Sequence, residues 1–306
     1  MVNENRTVLV TGGAGFIGSQ LVDALLEKNL RVRVIDNLST GAIQSVNPGA
    51  ELFRSDITKL EEIRPVFENV DCVFHTAALP RVPLSIEKPV ETHMANVIGT
   101  LNVLIAARDA RVRRIVNSGS SSVYGIQKKI PLTEDMRPNP LNPYAVQKLA
   151  GEEYTKVFHQ LFGIQTLTLR YFNVFGPRMP TEGAYVTVLS VFVQQKRAGQ
   201  PLTIHGDGEQ TRDFTHVSDV VGANLLAMEC ETADGRPLNI GQGRNVSVNQ
   251  IARMFGGPTA KLPPRAGDAR DTLANYSEAE RILGWRPQIA TEAGVTALLR
   301  TNGLVR

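Results

Sequence analysis

Tyr144 and Lys148 are the two side chains whose types and spacing most directly indicate chemistry in this sequence. They stand four residues apart in the stretch PYAVQK, and on a helix that separation places both on one face. A phenol has a pKa of about 10 and is a poor base at neutral pH, but a neighbouring ammonium group favours the phenolate. Such a pair could take a proton from a substrate hydroxyl while a hydride leaves the same carbon. Surface helices also carry this spacing by chance.

The stretch SGSSSVYG, residues 118–125, places a row of hydroxyl groups at the end of an apolar run. Serine is a poor strand former, so the row is either a polar turn that caps the next element or part of an active site. A serine hydroxyl is neither a competent acid nor a competent base near neutral pH. These serines could therefore hydrogen-bond a reacting oxygen or a bound ligand, but they are not suited to drive an elimination.

Three glycines in VLVTGGAGFIG follow a short apolar run and open an amphipathic segment. Gly12 permits a tight turn, Gly15 lets the backbone approach a pyrophosphate, and Gly18 lets the following helix pack on the strand. The N-terminus of that helix then offers unpaired N–H groups and a positive dipole end to the phosphates. The pattern predicts a dinucleotide site, and a glycine-rich turn without a ligand is the alternative.

An acidic residue, Asp36, ends the next strand-like run. A carboxylate there can bind the 2′- and 3′-hydroxyls of an adenosine ribose and would repel a 2′-phosphate. The following residues, NLST, contain no arginine, so the sequence favours NAD over NADP. Asp56 and Ile57 could flank the adenine ring, although Asp56 could equally be a helix N-cap.

These residues need a scaffold, and the hydrophobic pattern predicts one. Short β-branched runs alternate with helical segments of ten or more residues, which indicates a Rossmann-type doubly wound parallel α/β sheet with a smaller C-terminal substrate-binding lobe. We expect strands at 7–12, 31–36, 71–78, 113–120, 165–176 and 237–241, and helices at 18–29, 100–110, from Pro143, 186–198 and 218–230. The predicted NAD-binding domain is 1–176 with about 214–238, and the predicted lobe is 177–213 with 239–306.

Composition narrows the functional classes. The 306 residues are 42% hydrophobic and carry a net charge of +3, which does not suggest nucleic acid or a membrane as the main partner. The two cysteines lie far apart without metal-ligand spacing, so we predict no metal site and a reducing compartment. No apolar run of about 18 residues occurs and the N-terminus lacks a signal-peptide core, so we expect a cytoplasmic protein.

Together, TGGAGFIG, YAVQK and the serine row resemble the extended short-chain dehydrogenase/reductase superfamily, and most closely its nucleotide-sugar epimerases and dehydratases. Further stretches that match are NVIGTLNVLIAA, RYFNVFGPR, GDGEQTRDFTHVSDV and LPPRAGDARDTLANYSEAERILGW, so the resemblance spans about residues 7–290. It implies a UDP-sugar substrate that passes through a 4-keto intermediate, with Ser120 as the catalytic hydroxyl, Tyr144 as the base and Lys148 as its partner. The NAD-contacting positions that it implies are Gly12, Gly15, Phe16, Ile17, Gly18, Asp36, Asn37, Asp56, Ile57, Ala77, Ala78, Asn96, Tyr144, Lys148 and Phe172.

The same resemblance implies a set of substrate contacts. Asn173 and Arg212 fall on diphosphate positions, and guanidinium groups suit phosphates because they offer paired donors in a fixed fork. Taken alone, such an arginine would be an ordinary surface residue. The substrate positions are Arg81, Ser121, Ser122, Asn173, Val188, Thr203, His205, Arg212, Arg265, Asp268 and Thr272. Among them, Thr203 and His205 flank the nucleobase strand, whereas Arg265 and Asp268 fall on phosphate and uridine-ribose positions.

Two positions direct the choice of reaction and substrate. Dehydratases of the 4,6 type carry Asp-Glu where this chain has Ser121 and Ser122, which favours C4 epimerisation. In similar epimerases the position of Thr272 lines the sugar pocket, and a small residue leaves room for an N-acetyl group at C2; an ordinary loop residue is the alternative. We therefore expect a 4-epimerase of UDP-GlcNAc/UDP-GalNAc, with UDP-Glc/UDP-Gal as further candidate substrates.

Several alternatives stay open at this point. One is a nucleotide-sugar dehydratase that recruits its acid and base elsewhere, for example for 5,6-dehydration of a UDP-N-acetylhexosamine, since the loop ALPRVPLSIEKP departs from the commoner family pattern. Others are a reductase that releases its cofactor at each turnover and an NAD-sensing protein without catalysis, although such sensors tend to lose the tyrosine or the lysine. Helices at 92–110 and 144–162 correspond to those that pair across a two-fold axis in similar proteins, which predicts a homodimer.

Overall fold

The computed structural model describes residues 6–80, 82–180, 187–264 and 270–305. Its strands are β1 (Thr7–Thr11), β2 (Arg31–Ile35), β3 (Glu51–Phe53), β4 (Cys72–His75), β5 (Arg114–Ser120), β6 (Gln165–Tyr171), β7 (Val174–Phe175), β8 (Leu202–His205), β9 (Thr211–Asp213), β10 (Thr215–His216), β11 (Asp234–Ile240), β12 (Asn245–Ser247) and β13 (Thr259–Leu262). Its α-helices are α1 (Phe16–Glu27), α2 (Leu60–Ile63), α3 (Val82–Glu87), α4 (Pro89–His93), α5 (Gly99–Asp109), α6 (Pro143–Phe162), α7 (Val188–Arg197), α8 (Val217–Glu229), α9 (Val248–Phe255), α10 (Ser277–Leu283) and α11 (Thr291–Thr301).

The main sheet is parallel throughout, with the strand order β3-β2-β1-β4-β5-β6-β11. The chain first adds strands on one side of β1 and then on the other, so the order reverses between β1 and β4. This is the doubly wound Rossmann-type arrangement that the sequence predicts, and it is confirmed. In such sheets, ligands bind outside the carboxyl ends of the strands at the point of reversal.

Two apolar layers cover the sheet because successive strand residues point to opposite faces. On one face Val8 and Val10 join a core with α1 and α8, and on the other face Leu9 joins a core with α5. The predicted return of the helix at 218–230 to the main sheet is therefore observed, with α8 at 217–229.

A third core lies in the C-terminal part of the chain. It joins α7, α9 and α11 with the short strands β8 and β12. β13 pairs with β8 in parallel, and β12 pairs with β9 in antiparallel orientation. These short elements hold β9 in place. Arg212 is the middle residue of β9 and lies near the carboxyl ends of the strands of the main sheet.

The structure differs from the predicted strands in two places. The run 165–176 divides into β6 and β7, because Asn173 has a positive φ of 32° that extended backbone does not allow. The strand expected at 237–241 spans 234–240 and forms the edge of the main sheet beside β6. Its start lacks an apolar alternation, and Pro237 is tolerated because an edge strand does not need every N–H. β11 crosses the domain limit placed at about 238, and the domain limits stay predictions.

Candidate active site

A cleft of about 1160 Å³ runs along the carboxyl ends of the parallel strands. It is lined by these predicted cofactor residues: Gly12, Gly15, Phe16, Ile17, Gly18, Asp36, Asn37, Asp56, Ile57, Ala77, Ala78, Tyr144 and Lys148. It is also lined by these predicted catalytic and substrate residues: Ser120, Ser121, Ser122, Asn173, Arg212 and Thr272. Residues far apart in sequence thus meet in one cleft.

The glycine loop connects β1 to α1 at the floor of this cleft. Gly12 has a φ of +75°, and a Cβ there would lie 2.7 Å from the Ala77 backbone. A Cβ at Gly18 would lie 2.2 Å from the carbonyl oxygen of Gly12, so only glycine allows α1 to approach the loop. The first turn of α1 then faces the cleft through Phe16 and Ile17. This cradle fits a dinucleotide pyrophosphate, because a helix N-terminus binds phosphate through its N–H groups.

Asp36 follows β2 and is 9% exposed at the cleft wall. Its carboxylate accepts hydrogen bonds from the backbone N–H groups of Ala14, at 2.9 Å, and Leu38, at 2.8 Å. An ionised carboxylate has about four acceptor positions, so capacity remains for two ribose hydroxyls. The same side chain thus fixes the glycine loop and can recognise the adenosine ribose of NAD.

We expect Asp36→Ala to weaken NAD binding about tenfold or more, because it removes hydrogen bonds to a charged acceptor, each of which contributes about 1.5–3 kcal/mol. Discrimination against NADP should relax as well, since the group that repels a 2′-phosphate is gone. The measurement is the cofactor content of the purified protein, with calorimetric titration of NAD and NADP. Asp23→Ala is the matched control, since Asp23 bonds to Arg178 and Asn47 and is not among the described residues that line the cleft. Unchanged cofactor content in the Asp36 variant would reject the assigned role.

The candidate catalytic side chains come from β5 and α6. Ser120 is the last residue of β5, and Tyr144 and Lys148 lie one helical turn apart near the start of α6. Asn142 caps this helix by accepting the N–H of Ala145 at 3.0 Å, which sets where the first turn begins. Lys148 Nζ donates to the carbonyl oxygen of Ser118 at 2.8 Å. The ammonium group is therefore anchored to β5, two residues before Ser120.

The electrostatic environment of Lys148 and Tyr144 suits proton transfer. Burial lowers the pKa of Lys148 to about 8, because taking an ammonium group out of water disfavours its charged form. At pH 7 most Lys148 side chains still carry their proton, and as pH rises through about 8 that charge is lost. A charged Lys148 stabilises the phenolate form of Tyr144. This stabilisation is present below about pH 8 and is lost as the pH rises above it.

Asn96 is predicted to contact NAD, and this contact stays a prediction. It is 3% exposed and lies in the π-helical turn Met94–Ile98, outside the cleft lining. Its Oδ1 accepts the N–H of Leu79 at 2.7 Å, while its Nδ2 donates to the carbonyl oxygen of Leu79 at 3.1 Å and to Oε1 of Gln147 at 2.8 Å. The amide is therefore engaged in holding the loop that lines the cleft.

Other predicted contacts also lie away from the described wall. Phe172 is fully buried behind it against Tyr124, with ring centroids 6.2 Å apart. Val188 begins α7 and packs against the third core. Thr203 bonds to Gln195, and His205 Nδ1 lies 2.9 Å from the carbonyl oxygen of Pro263. These four contacts stay predictions, while Arg81, Arg265 and Asp268 lie outside the described residues.

Two supporting residues escaped the sequence reasoning. Ser85 is fully buried on α3, and its Oγ accepts the N–H of Tyr144 at 3.1 Å. Asp213 is also fully buried and accepts N–H groups from Gln242, Gly243 and Ala274 at 2.7–3.0 Å. Burial raises the pKa of the Asp213 carboxyl to about 6 despite these bonds. A lone acidic residue next to an arginine in QTRDF was the available signal for Asp213, and no local signal marked Ser85.

Asp213 connects the two substrate positions at this end of the cleft. It follows Arg212 on β9, and its backbone N–H donates to Oγ1 of Thr272 at 3.3 Å. The N–H of Thr272 in turn donates to the carbonyl oxygen of Thr211 at 3.3 Å. The segment around Thr272 is thereby fixed against β9, which places the threonine side chain on the cleft wall.

A family model and a search for similar proteins point to the same family. The family model described as NAD dependent epimerase/dehydratase family matches residues 8–241. A putative UDP-glucose 4-epimerase of Methanocaldococcus jannaschii is 39% identical over 296 residues, which cover 94% of this chain and 95% of that protein.

Two solved structures extend the comparison. The UDP-N-acetylglucosamine 4-epimerase of Methanobrevibacter ruminantium, in complex with UDP-N-acetylmuramic acid, is 32% identical with a TM-score of 0.90, over 97% of this chain and 99% of that one. The UDP-glucuronic acid 4-epimerase of Bacillus cereus, in complex with UDP-glucuronic acid and NAD, is 33% identical with a TM-score of 0.88, over 97% and 99% of the two chains. No helix in the described ranges is long and apolar enough to cross a membrane.

Proposed function

The chain belongs to the NAD-dependent epimerase/dehydratase family, and from this premise we propose that it inverts C4 of a UDP-N-acetylhexosamine. NAD-dependent modification of a UDP-sugar follows from the family itself. The observation that carries the finer proposal is the cleft, which brings the glycine loop, the Tyr144–Lys148 pair and the serine end of β5 to one place.

In this proposal the phenol oxygen of Tyr144 takes the proton of the C4 hydroxyl as a 4-keto sugar forms. After the ketone has turned its other face to the cofactor site, the phenol returns the proton to the same C4 oxygen. NAD, when bound along the glycine loop and Asp36, supplies the oxidation and reduction at C4. Lys148 stabilises the phenolate while it is held by the carbonyl oxygen of Ser118. Ser120, at the end of β5, hydrogen-bonds the C4 oxygen during the transfer.

The polar residues around Ser120 support epimerisation rather than dehydration. Elimination of water needs a base for the C5 proton and an acid for the leaving hydroxyl. Among the described residues that line the cleft, the carboxylates are Asp36, Asp56 and Glu91. Asp36 bonds to the glycine loop and Asp56 bonds to Asn37, and Glu91 of α4 pairs with Lys88, the residue before that helix. The groups next to Ser120 are hydroxyls, which suit binding of a sugar.

The test is incubation of the purified protein with UDP-GlcNAc, UDP-glucose or UDP-glucuronic acid, with products followed by NMR. We expect the C4 epimer of the acetylated sugar, formed without added NAD because the cofactor stays bound through each turnover. An alkene product would instead indicate the dehydratase, and a requirement for stoichiometric NAD would indicate a reductase. Turnover of UDP-glucuronic acid alone would show that the substrate assignment is wrong.

Thr272→Tyr should suppress turnover of UDP-GlcNAc selectively. Thr272 lines the cleft and its segment is fixed to β9, so a tyrosine ring there would fill the space for an N-acetyl group. Overfilling a shaped pocket costs about 1–3 kcal/mol, which corresponds to about five- to 150-fold in kcat/KM. Thr272→Ser is the matched control, because it keeps the hydroxyl and the space. Equal loss of acetylated and unacetylated substrates in the tyrosine variant would contradict the role.

We also propose that the protein is a homodimer that pairs through the predicted helices at 92–110 and 144–162, with a second copy covering the exposed apolar side chains of α6 and of α4 beside it. On α6 the side chains of Val146, Val157 and Leu161 are 52%, 40% and 70% exposed, and on α4 Val90 is 76% exposed. The two helices pack side by side, so we expect these side chains to form one apolar surface of the kind that interfaces bury. Light scattering at micromolar concentration should give the dimer mass, and Leu161→Glu should give a monomer. A monomeric wild-type protein would contradict the proposal.

A further inference from the structure

Three consecutive serines, residues 120–122, line the cleft, and two of them, Ser120 and Ser122, are hydrogen-bonded to each other. We propose that Ser122 is a positioning residue that commits the Ser120 hydroxyl to act as a hydrogen-bond donor toward the reacting C4 oxygen. This inference deepens the proposed epimerase function and rests on it. It differs from the substrate contact that the sequence alone suggested for Ser122.

The proposal rests on two hydrogen bonds that the same atom, Oγ of Ser120, accepts. Oγ of Ser120 accepts the hydroxyl of Ser122 at 2.9 Å and the backbone N–H of Ser122 at 3.2 Å. A serine hydroxyl has one donor and two acceptor lone pairs. Both acceptor positions of Ser120 are therefore taken by Ser122, and what remains is its own O–H.

Because of these two bonds, Ser120 can act toward a substrate only as a hydrogen-bond donor. When Tyr144 takes the proton of the C4 hydroxyl, the C4 oxygen gains negative charge and needs a donor, not an acceptor. Ser120 can offer only its proton, so it is suited to that developing charge from the start. The donation from the Ser122 hydroxyl also polarises Ser120, because hydrogen bonds in a chain strengthen one another.

Ser122 can perform this task because contacts at both ends hold the turn that carries it. Ser120 is the N-cap of the 3₁₀ turn Ser121–Tyr124, and the turn ends at Gly125, which has a φ of 56°. A Cβ at Gly125 would lie 1.8 Å from the carbonyl oxygen of Asn139, so the chain passes tightly there. At the end of the turn, the hydroxyl of the buried Tyr124 donates to Oδ1 of Asn239 at 2.7 Å.

The test separates positioning from substrate binding through kcat and KM. Ser122→Ala removes the hydroxyl donor and keeps the N–H donor, so we expect kcat to fall about three- to tenfold with KM close to wild type, which is the loss of one neutral hydrogen bond. Ser122→Thr keeps the hydroxyl and should restore kcat. Ser121→Ala is the contrasting variant: it removes a hydroxyl predicted to bind the sugar and should raise KM instead.

A double-mutant cycle supplies the readout that a merely structural role would not change. In a Ser120→Ala background the Ser122→Ala change should cost less than about twofold in kcat, because its partner is already absent. Melting temperature and bound NAD of each variant check folding. If the alanine variant does not fold, Ser122→Cys, which is nearly isosteric with a weak S–H donor, gives the same readout.

Failure of the positioning role and failure of the proposed function give different results. A rise in KM with unchanged kcat in Ser122→Ala, or the same loss of kcat in both backgrounds, would overturn the positioning role while leaving the epimerase proposal intact. A wild-type protein that turns over no UDP-sugar would overturn the proposed function, and this inference with it.

Discussion

Tyr144→Phe should lower the turnover of a UDP-sugar by at least ~10²-fold, because it removes the group that takes the proton, while NAD and the nucleotide sugar still bind. The ring itself stays in place, since the tyrosine lies in the first turn of α6, where Asn142 sets the helix start and Ser85 bonds the Tyr144 N–H. Loss of the hydroxyl therefore acts on chemistry and not on the shape of the cleft. Turnover by NMR and binding by calorimetry separate the two effects.

The matched control is Tyr154→Phe on the same helix. Tyr154 is 38% exposed on the outer side of α6, so the loss of its hydroxyl should leave turnover close to wild type. Near-normal turnover in Tyr144→Phe would remove Tyr144 from the mechanism. Weak binding of the UDP-sugar together with slow turnover would show that the phenol is a binding group instead.

Arg170→Met should destabilise the fold by about 3–5 kcal/mol, the cost of leaving one partner of a buried ion pair alone. The Arg170 and Glu152 side chains are only 3% and 5% exposed, and Nε of Arg170 donates to Oε2 of Glu152 at 2.9 Å. Arg170 also donates to the hydroxyl of Tyr124 at 2.7 Å. The pair thus joins β6, α6 and the serine turn, so its loss loosens the elements that carry the candidate catalytic residues.

The measurement is urea unfolding of wild type and variant at pH 7. Arg286→Met is the control, because its ion pair with Glu280 is exposed, with side chains 66% and 37% accessible, and such pairs contribute about 0–1 kcal/mol. The double variant Arg170→Met with Glu152→Gln should recover part of the loss, since no unpaired charge is left buried. A loss no larger than that of the control would show that the buried pair does not stabilise the structure.

The local sequence determined the sheet, the cofactor loop and the spacing of the Tyr144–Lys148 pair. These features depend on neighbours along the chain: β-branched runs form strands, glycines at fixed offsets allow the turn at Gly12, and a separation of four residues places two side chains on one helix face. Most of the residues that the resemblance of those motifs implies for the site do line the cleft.

Only the tertiary structure decided which polar groups hold that site in place. Ser85 bonds the Tyr144 backbone across 59 positions of sequence, and Asp213 gathers N–H groups from residues 29 to 61 positions away. The Asn96 amide, at a position predicted to contact NAD, bonds to Leu79 and Gln147, which no local pattern indicates. Hydrogen bonds of this kind depend on how separate elements dock and on the need to satisfy each buried polar atom. Residue type and spacing do not contain that information, because the partners become neighbours only when the chain has folded.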